Sequence, residues 1–189
     1  MTRSAMLTAA LLTLAASGAT AAPQRLETAL FAGGCFWTME RDFELVPGVV
    51  GAVSGYAGGK ERNPTYEQVS SETTGHVETV KVTYDPAKIS YRQLVERYWR
   101  MIDPTDSGGQ ACDRGPSYRA TIFATPAQKP VAEASKAALV NGPRHMKVVV
   151  PVRDAVTFWP AEAYHQDFWK RNAARYGAYR VGCGRDAVL

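Results

Sequence analysis

Three cysteines and three histidines are all the thiol and imidazole groups that the 189 residues carry. Cys35, Cys112 and Cys183 lie far apart, so the chain lacks the Cys-x-x-Cys pair of a thioredoxin-like dithiol or of a zinc knuckle. His76, His145 and His165 have no metal-ligand spacing, and no metal is expected; His76 and His165 are read as structural hydrogen-bonding residues. The net charge is +4, yet no run of Lys or Arg stands out, which speaks against a nucleic-acid surface. Repeats, low-complexity tracts and internal linkers are absent too. With 46% hydrophobic and 21% charged residues, the composition is that of one domain that buries a core without disulfide staples.

Apolar runs of membrane length are missing as well. The nearest is Met6 to Ala16, which is too short to cross a bilayer comfortably. It follows a lone early charge, Arg3, and precedes Ala19-Thr20-Ala21, a small-x-small sequence. This is the layout of a secretory signal over 1–21, leaving 22–189 as a single mature domain that is exported, periplasmic in a Gram-negative cell, and free of a membrane anchor after cleavage. Exported domains usually pair their cysteines. An odd count leaves one thiol over, for chemistry or for a mixed disulfide.

Hydrophobic periodicity predicts a strand at Thr28–Ala32, a helix at Phe36–Leu45, a strand at Val49–Ser54 and a glycine-rich loop from Gly55 to Pro64. A half-buried strand follows at Val77–Tyr84, then a helix from Ser90 to Ile102 opened by a Ser90/Gln93 capping box. Asp103–Ser117 reads as a long loop and Tyr118–Ala124 as a strand. A helix from Thr125-Pro126 to Val140, a strand at Lys147–Val152 and a helix at Ala161–Asn172 complete the pattern, and Tyr176–Leu189 reads as an irregular tail. The order β-α-β-β-α-β predicts an α+β fold, a two-layer split β-α-β (ferredoxin-like) sandwich with a mixed sheet.

The chemistry concentrates at Gly33-Gly34-Cys35-Phe36-Trp37, where a strand meets two glycines and a cysteine at the mouth of a helix. A helix N-terminus favours thiolate over thiol, so Cys35 is the candidate nucleophile, against the plainer reading of a small buried hydrophobe. Phe36 and Trp37 point about a hundred degrees apart, so that one can face the core while the other lines the site. An aromatic wall suits a thioether methyl.

Gly34-Cys35-Phe36-Trp37, with Glu40 three residues on, resembles the signature of the peptide methionine sulfoxide reductase A family. Ser54-Gly55-Tyr56-Ala57-Gly58-Gly59, Thr74-Gly75-His76-Val77-Glu78, Asp113-Arg114-Gly115 with Tyr118-Arg119, and Ala161-Glu162 with Tyr164-His165-Gln166 follow in the same order. The resemblance covers the whole of 22–189. It implies thiol-dependent reduction of free or peptide-bound methionine S-sulfoxide, with Cys35 attacking sulfur and becoming a sulfenic acid. It implies Glu78 as the acid, Tyr56 and Tyr118 as hydrogen-bond donors to the sulfoxide oxygen, Asp113 as an ordering group, and Phe36 and Trp37 against the substrate. Glu78 must then sit in an apolar or anion-crowded pocket that holds its proton.

A sulfenic acid needs a second thiol. Cys183, between two glycines in the tail, is the expected resolving cysteine, closing a disulfide with Cys35. Cys112 departs from the family pattern; it is an inert loop thiol, the reading favoured here, a competing resolver, or a relay towards Cys183. No cofactor is implied, only a thioredoxin-like electron donor, and the expected state is a monomer. The alternatives are a papain-like cysteine hydrolase using His165 as base, whose surrounding residues do not match, and a non-catalytic exported binding module.

Overall fold

The computed structural model describes residues 25–187, so the reading of 1–21 as a signal lies outside the described residues. In chain order the elements are β1 (Glu27–Ala32), α1 (Phe36–Glu44), β2 (Val49–Ala57), α2 (Tyr66–Ser70), β3 (Val77–Tyr84), α3 (Tyr91–Tyr98), β4 (Gly109–Gln110), β5 (Asp113–Arg114), β6 (Thr121–Ala124), α4 (Lys129–Asn141), β7 (Val152–Asp154), β8 (Trp159–Pro160), α5 (Phe168–Arg171) and α6 (Ala173–Gly182). Six strands form one sheet in the order β7-β6-β1-β3-β2-β8, and β4 and β5 form a separate two-stranded ribbon. The β6–β7 pair is parallel and the other pairs of the large sheet are antiparallel.

The central four strands, β6-β1-β3-β2, are the split β-α-β arrangement expected from the element order: α1 leads from β1 past β3 to β2. Strand alternation decides which residues meet the helices. Phe31 of β1 stacks on Phe43 of α1 at 4.9 Å and on Tyr98 of α3 at 5.1 Å, so both helices cover the same face. Val80, Val82 and Tyr84 of β3 and Leu94, Val95 and Ile122 join this core. The opposite face carries a smaller cluster of Ala32, Ala57, Val77 and Phe123. Ser90 caps α3 with both halves of the capping box formed, a cap worth ~1 kcal/mol. No described helix is long and apolar enough to cross a membrane.

Several sequence expectations are corrected. β2 runs on to Ala57, through the stretch read as a loop, so Tyr56 stands on a strand. Gly55 is there because the chain entering β8, the neighbour of β2 in the sheet, packs close against it: a Cβ would strike the Trp159 carbonyl oxygen and the Phe158 ring. The strand expected at Lys147–Val152 begins only at Val152, because Pro151 has no N–H to give to the ladder. The helix expected from Thr125 starts at Lys129, with Pro130 in its first turn, and the one expected over Ala161–Asn172 is reduced to α5, its start fixed by Asp167 in a left-handed conformation (φ 52°). The short helix α2 falls in a stretch given no element. The tail is not irregular: α6 spans Ala173–Gly182 and Arg185–Ala187 forms a 3-10 turn.

Candidate active site

Cys35 is the N-cap residue of α1, and its side chain makes no capping bond. The turn that delivers it needs glycine at position 34, where φ is +82° and a Cβ would lie 2.7 Å from the Gln110 Cβ and 2.9 Å from Arg185 Nη1. The first free N–H of the helix, that of Phe36, donates to Glu78 Oε2 at 2.8 Å. A carboxyl group from the middle of the sheet thus caps the helix that begins at the cysteine.

Glu78 reaches this position through strand parity. It shares a face with Val80, Val82 and Tyr84, and lies directly across from Tyr56 on β2. Burial is the main reason its carboxyl is pushed up to about 8; the Phe36 N–H opposes the shift and the Asp113 charge adds to it. At neutral pH Glu78 therefore carries its proton.

Around this pair stands an aromatic wall. Phe36 is 1% exposed and packs at 4.9 Å on His165, 5.9 Å on Tyr56 and 6.4 Å on Tyr66. Trp37 stacks flat on Phe168 at 3.8 Å and meets Tyr179 edge-on at 5.9 Å, while its indole N–H donates to His165 Nδ1 at 3.0 Å. Tyr118 and Tyr66 lie close enough to influence each other's hydroxyl, and both lie in the field of Glu78 and Cys35. The Tyr56 hydroxyl donates to Glu162 Oε2 at 3.0 Å, and Glu162 Oε1 accepts the Tyr66 N–H at 2.8 Å. Burial disfavours the Glu162 carboxylate, but the bonds from the Tyr66 N–H and Tyr56 outweigh it and leave its pKa lowered. Their surroundings thus push Glu78 and Glu162 in opposite directions, the first towards its protonated form and the second towards its ionised form.

Asp113 stands on the other side of Cys35. It accepts from the Tyr179 hydroxyl at 2.5 Å, and Tyr179 also hydrogen-bonds Cys35. Burial raises the Asp113 carboxyl, while Tyr179 and the Arg185 charge pull it back. Cys183 Sγ lies 3.6 Å from Asp113 Oδ2, so the carboxylate that Tyr179 holds also touches the second sulfur.

Three expectations about the cysteines are corrected. Cys35 does not rest as a thiolate: it is 6% exposed, and burial, followed by the Glu78 carboxylate that forms once its proton is lost and by the Asp113 charge, pushes its thiol well above the ordinary range, overriding the helix N-terminus, Tyr179 and the Trp37 N–H. Cys183 is not on a mobile tail; it is buried at the C-cap of α6 and disulfide-bonded to Cys112. Cys112 is therefore not an inert thiol. It is exposed where Cys183 is buried, and Cys35 is the free cysteine.

The remaining motif residues are structural. His76 Nδ1 accepts the Gly59 N–H at 3.1 Å, and its Nε2 lies 2.8 Å from the Glu61 carbonyl oxygen. Glu40 accepts from the Ser54 hydroxyl and, at 2.6 Å, from the Asp167 N–H. Gln166 bridges Ser54 and Ala161. Two clusters of metal-type ligands occur among the described residues. The sulfurs of Cys112-Asp113-Cys183 are joined to each other, and in Glu40-Glu44-Asp167 the last two are paired to Lys170 at 2.8 and 2.6 Å.

The profile of the family described as peptide methionine sulfoxide reductase matches residues 27–189. The chain belongs to the peptide methionine sulfoxide reductase family. It is 54% identical over 184 residues to peptide methionine sulfoxide reductase MsrA 2 of Caulobacter vibrioides, covering 97% of this chain and 94% of that one. It is 51% identical over 168 residues to MsrA of Listeria welshimeri, covering 88% and 95%. Among solved structures, reduced Mxr1 of Saccharomyces cerevisiae superposes with a TM-score of 0.74 at 27% identity, covering 85% of this chain and 93% of that one. Methionine sulfoxide reductase A of Corynebacterium diphtheriae gives a TM-score of 0.71 at 29% identity, covering 81% and 77%.

Sequence reasoning left Tyr66, Glu162, Tyr179 and Arg185 without a role, although Glu162 stood in a quoted motif. For Tyr179 a signal was available: it lies four residues before Cys183, and a helical reading of the tail puts both on one face.

Proposed function

We propose that this reductase converts free or peptide-bound methionine S-sulfoxide to methionine, with Cys35 as nucleophile and Glu78 as general acid. The observation that carries the assignment is the buried Glu78 carboxyl, held at 2.8 Å on the first amide of the helix that Cys35 opens, where burial raises its pKa to about 8. The Cys35 sulfur attacks the sulfoxide sulfur, and Glu78 gives its proton to the oxygen as negative charge gathers there. Tyr118, and Tyr56 once its hydroxyl turns from Glu162, donate to that oxygen, and the substrate methyl packs against Phe36 and Trp37. Transfer of the oxygen turns thiol and sulfoxide into sulfenic acid and thioether, and the thiol proton restores Glu78.

Regeneration runs from the buried sulfur to the exposed one. Cys183 condenses with the Cys35 sulfenic acid, forming a disulfide and water. The Cys112 thiolate then attacks the Cys183 sulfur, freeing Cys35 and leaving the Cys112–Cys183 disulfide found here. An external thioredoxin-like dithiol attacks exposed Cys112 and restores both thiols. The electrons come from thiols throughout, so no metal, flavin or nucleotide takes part. From the N-terminal sequence we also infer export after removal of 1–21, to the periplasm in a Gram-negative cell; the mature domain is proposed to act as a monomer.

The test is a single-turnover assay on fully reduced protein without external reductant, each sulfoxide epimer supplied separately, with mass spectrometry of the cysteines. Methionine from the S epimer alone, with a Cys112–Cys183 disulfide, is the expected result. No methionine from either epimer, with Cys35 untouched, would overturn the assignment.

A further inference from the structure

Arg185 heads the largest fully buried side chains of the described chain, at 0% exposure, two residues beyond Cys183. Its Nη2 donates to the Gly33 carbonyl oxygen at 2.7 Å and to the Met101 carbonyl oxygen at 2.9 Å, and lies 3.3 Å from Met39 Sδ. Gly33 belongs to the turn that presents Cys35, and Nη1 lies where a side chain on Gly34 would have to go. The guanidinium fills the hollow that the glycine turn leaves. Nε and Nη1 have no hydrogen-bond partner among the described residues.

A buried cation held mainly by neutral acceptors is costly, and an apolar side chain of similar volume would fill the same hollow with less desolvation. Packing alone does not account for arginine here. What the guanidinium adds is direction: it ties the chain immediately after Cys183 to the backbone immediately before Cys35. Gly184 makes the connection at φ +67°, with open space around the position its Cβ would take, so Cys183 lies between a helix on one side and this anchor on the other.

We propose that Arg185 is a positioning residue that fastens the Cys183 segment to the Cys35 turn, so that the Cys183 thiol meets the Cys35 sulfenic acid. The inference rests on the thiol relay above. In the step concerned, the S–S bond forms, the Cys35 S–O bond breaks, and the Cys183 proton leaves with the hydroxyl as water; Cys183 is oxidised and Cys35 reduced. Arg185 exchanges neither proton nor electron. Its role is the separation and angle of two sulfurs, where a misplacement of about 1 Å can cost on the order of a hundredfold in rate.

The experiment follows two clocks in one rapid-quench sample of reduced full-length protein given one equivalent of free methionine S-sulfoxide. One clock is methionine formed. The other is loss of Cys35 sulfenic acid, trapped with dimedone, as the disulfide appears. In Arg185→Met, methionine should form at close to the wild-type rate while the sulfenic acid persists about tenfold longer or more, with partial recovery in Arg185→Lys. Resolution at the wild-type rate in folded Arg185→Met overturns the proposal, and so does equal slowing of both clocks, which would place Arg185 in support of the fold or the nucleophile. Should Arg185→Met not fold, Arg185→Lys carries the test by the same ratio of clocks. Wild-type protein that makes no methionine would fail the functional assignment instead, a result the wild-type control separates.

Discussion

Tyr56 and Glu78 face each other across the β2–β3 ladder, on the face covered by α1. One strand pairing therefore sets a hydroxyl and a carboxyl side by side, and burial gives the carboxyl its proton while Glu162 holds the hydroxyl. The acid is supplied by the most regular part of the fold, whereas the nucleophile sits on a turn.

Loss of that acid should be felt in chemistry and not in binding. Glu78→Gln keeps an acceptor for the Phe36 N–H but has no proton to give. Single-turnover methionine formation should fall by roughly 10²–10⁴-fold. The wild-type rate should also decline as pH rises through about 8, where Glu78 loses its proton, and this limb should be missing from the variant. A wild-type limb that survives unchanged in Glu78→Gln would assign it to another group.

The same group should leave a mark on stability. The folded-state pKa is raised above the ordinary 4.5 to about 8, so the stability that Glu78 allows is fully present below 4.5 and is lost as pH rises towards 8. Glu78→Gln does not ionise, so its stability relative to wild type should improve between pH 5 and pH 8. The gain should reach a few kcal/mol, because a tenfold change in proton affinity is about 1.4 kcal/mol. Urea unfolding of both proteins at the two pH values measures this, and parallel curves would contradict the buried, protonated state.

The split β-α-β core was legible in the sequence because periodicity and capping agreed with the tertiary fold at β1, α1, β3 and α3. Glycine misled where it does not turn the chain: Gly55 sits inside β2 beneath the Phe158 ring and the Trp159 carbonyl oxygen, and Gly177 and Gly182, with open space around them, disguised α6 as an irregular tail. At Cys35 the helix-dipole argument was sound but incomplete. It omitted the burial and the two carboxyl groups that only long-range folding brings to the cysteine, and those decide the balance. The Cys112–Cys183 bond spans 71 residues; a relay from Cys112 towards Cys183 was one of three sequence readings but not the favoured one, because an irregular tail does not show the helix α6 that carries Cys183 to Cys112.

Tyr179 should control how readily Cys35 ionises. Its hydroxyl is the main group on the protein side that opposes the effect of burial on that thiol, and it also satisfies Asp113. Tyr179→Phe should shift Cys35 ionisation to still higher pH and leave Asp113 without its shortest hydrogen bond. The measurement is the pH dependence of iodoacetamide alkylation, in a background with Cys112 and Cys183 replaced by Ser so that Cys35 alone reports. An unchanged profile would mean that the hydroxyl serves only Asp113.

The order of the two outer cysteines follows from their exposure, and single replacements separate it. In Cys183→Ser the group between Asp113 and the exposed thiol is gone, so one methionine should form and Cys35 should persist as sulfenic acid, with turnover stalled. In Cys112→Ser the first condensation remains available, so one methionine should again form, but the product should be a Cys35–Cys183 disulfide. That disulfide is buried with Cys35 and Cys183 and lacks the exposed sulfur on which a protein reductant acts. Steady-state turnover with a thioredoxin donor should therefore fall at least tenfold, while a small reductant such as dithiothreitol should restore much of it. Multiple turnovers by Cys183→Ser with the protein donor would transfer the resolving role to Cys112, and full protein-driven turnover by Cys112→Ser would remove Cys112 from the relay.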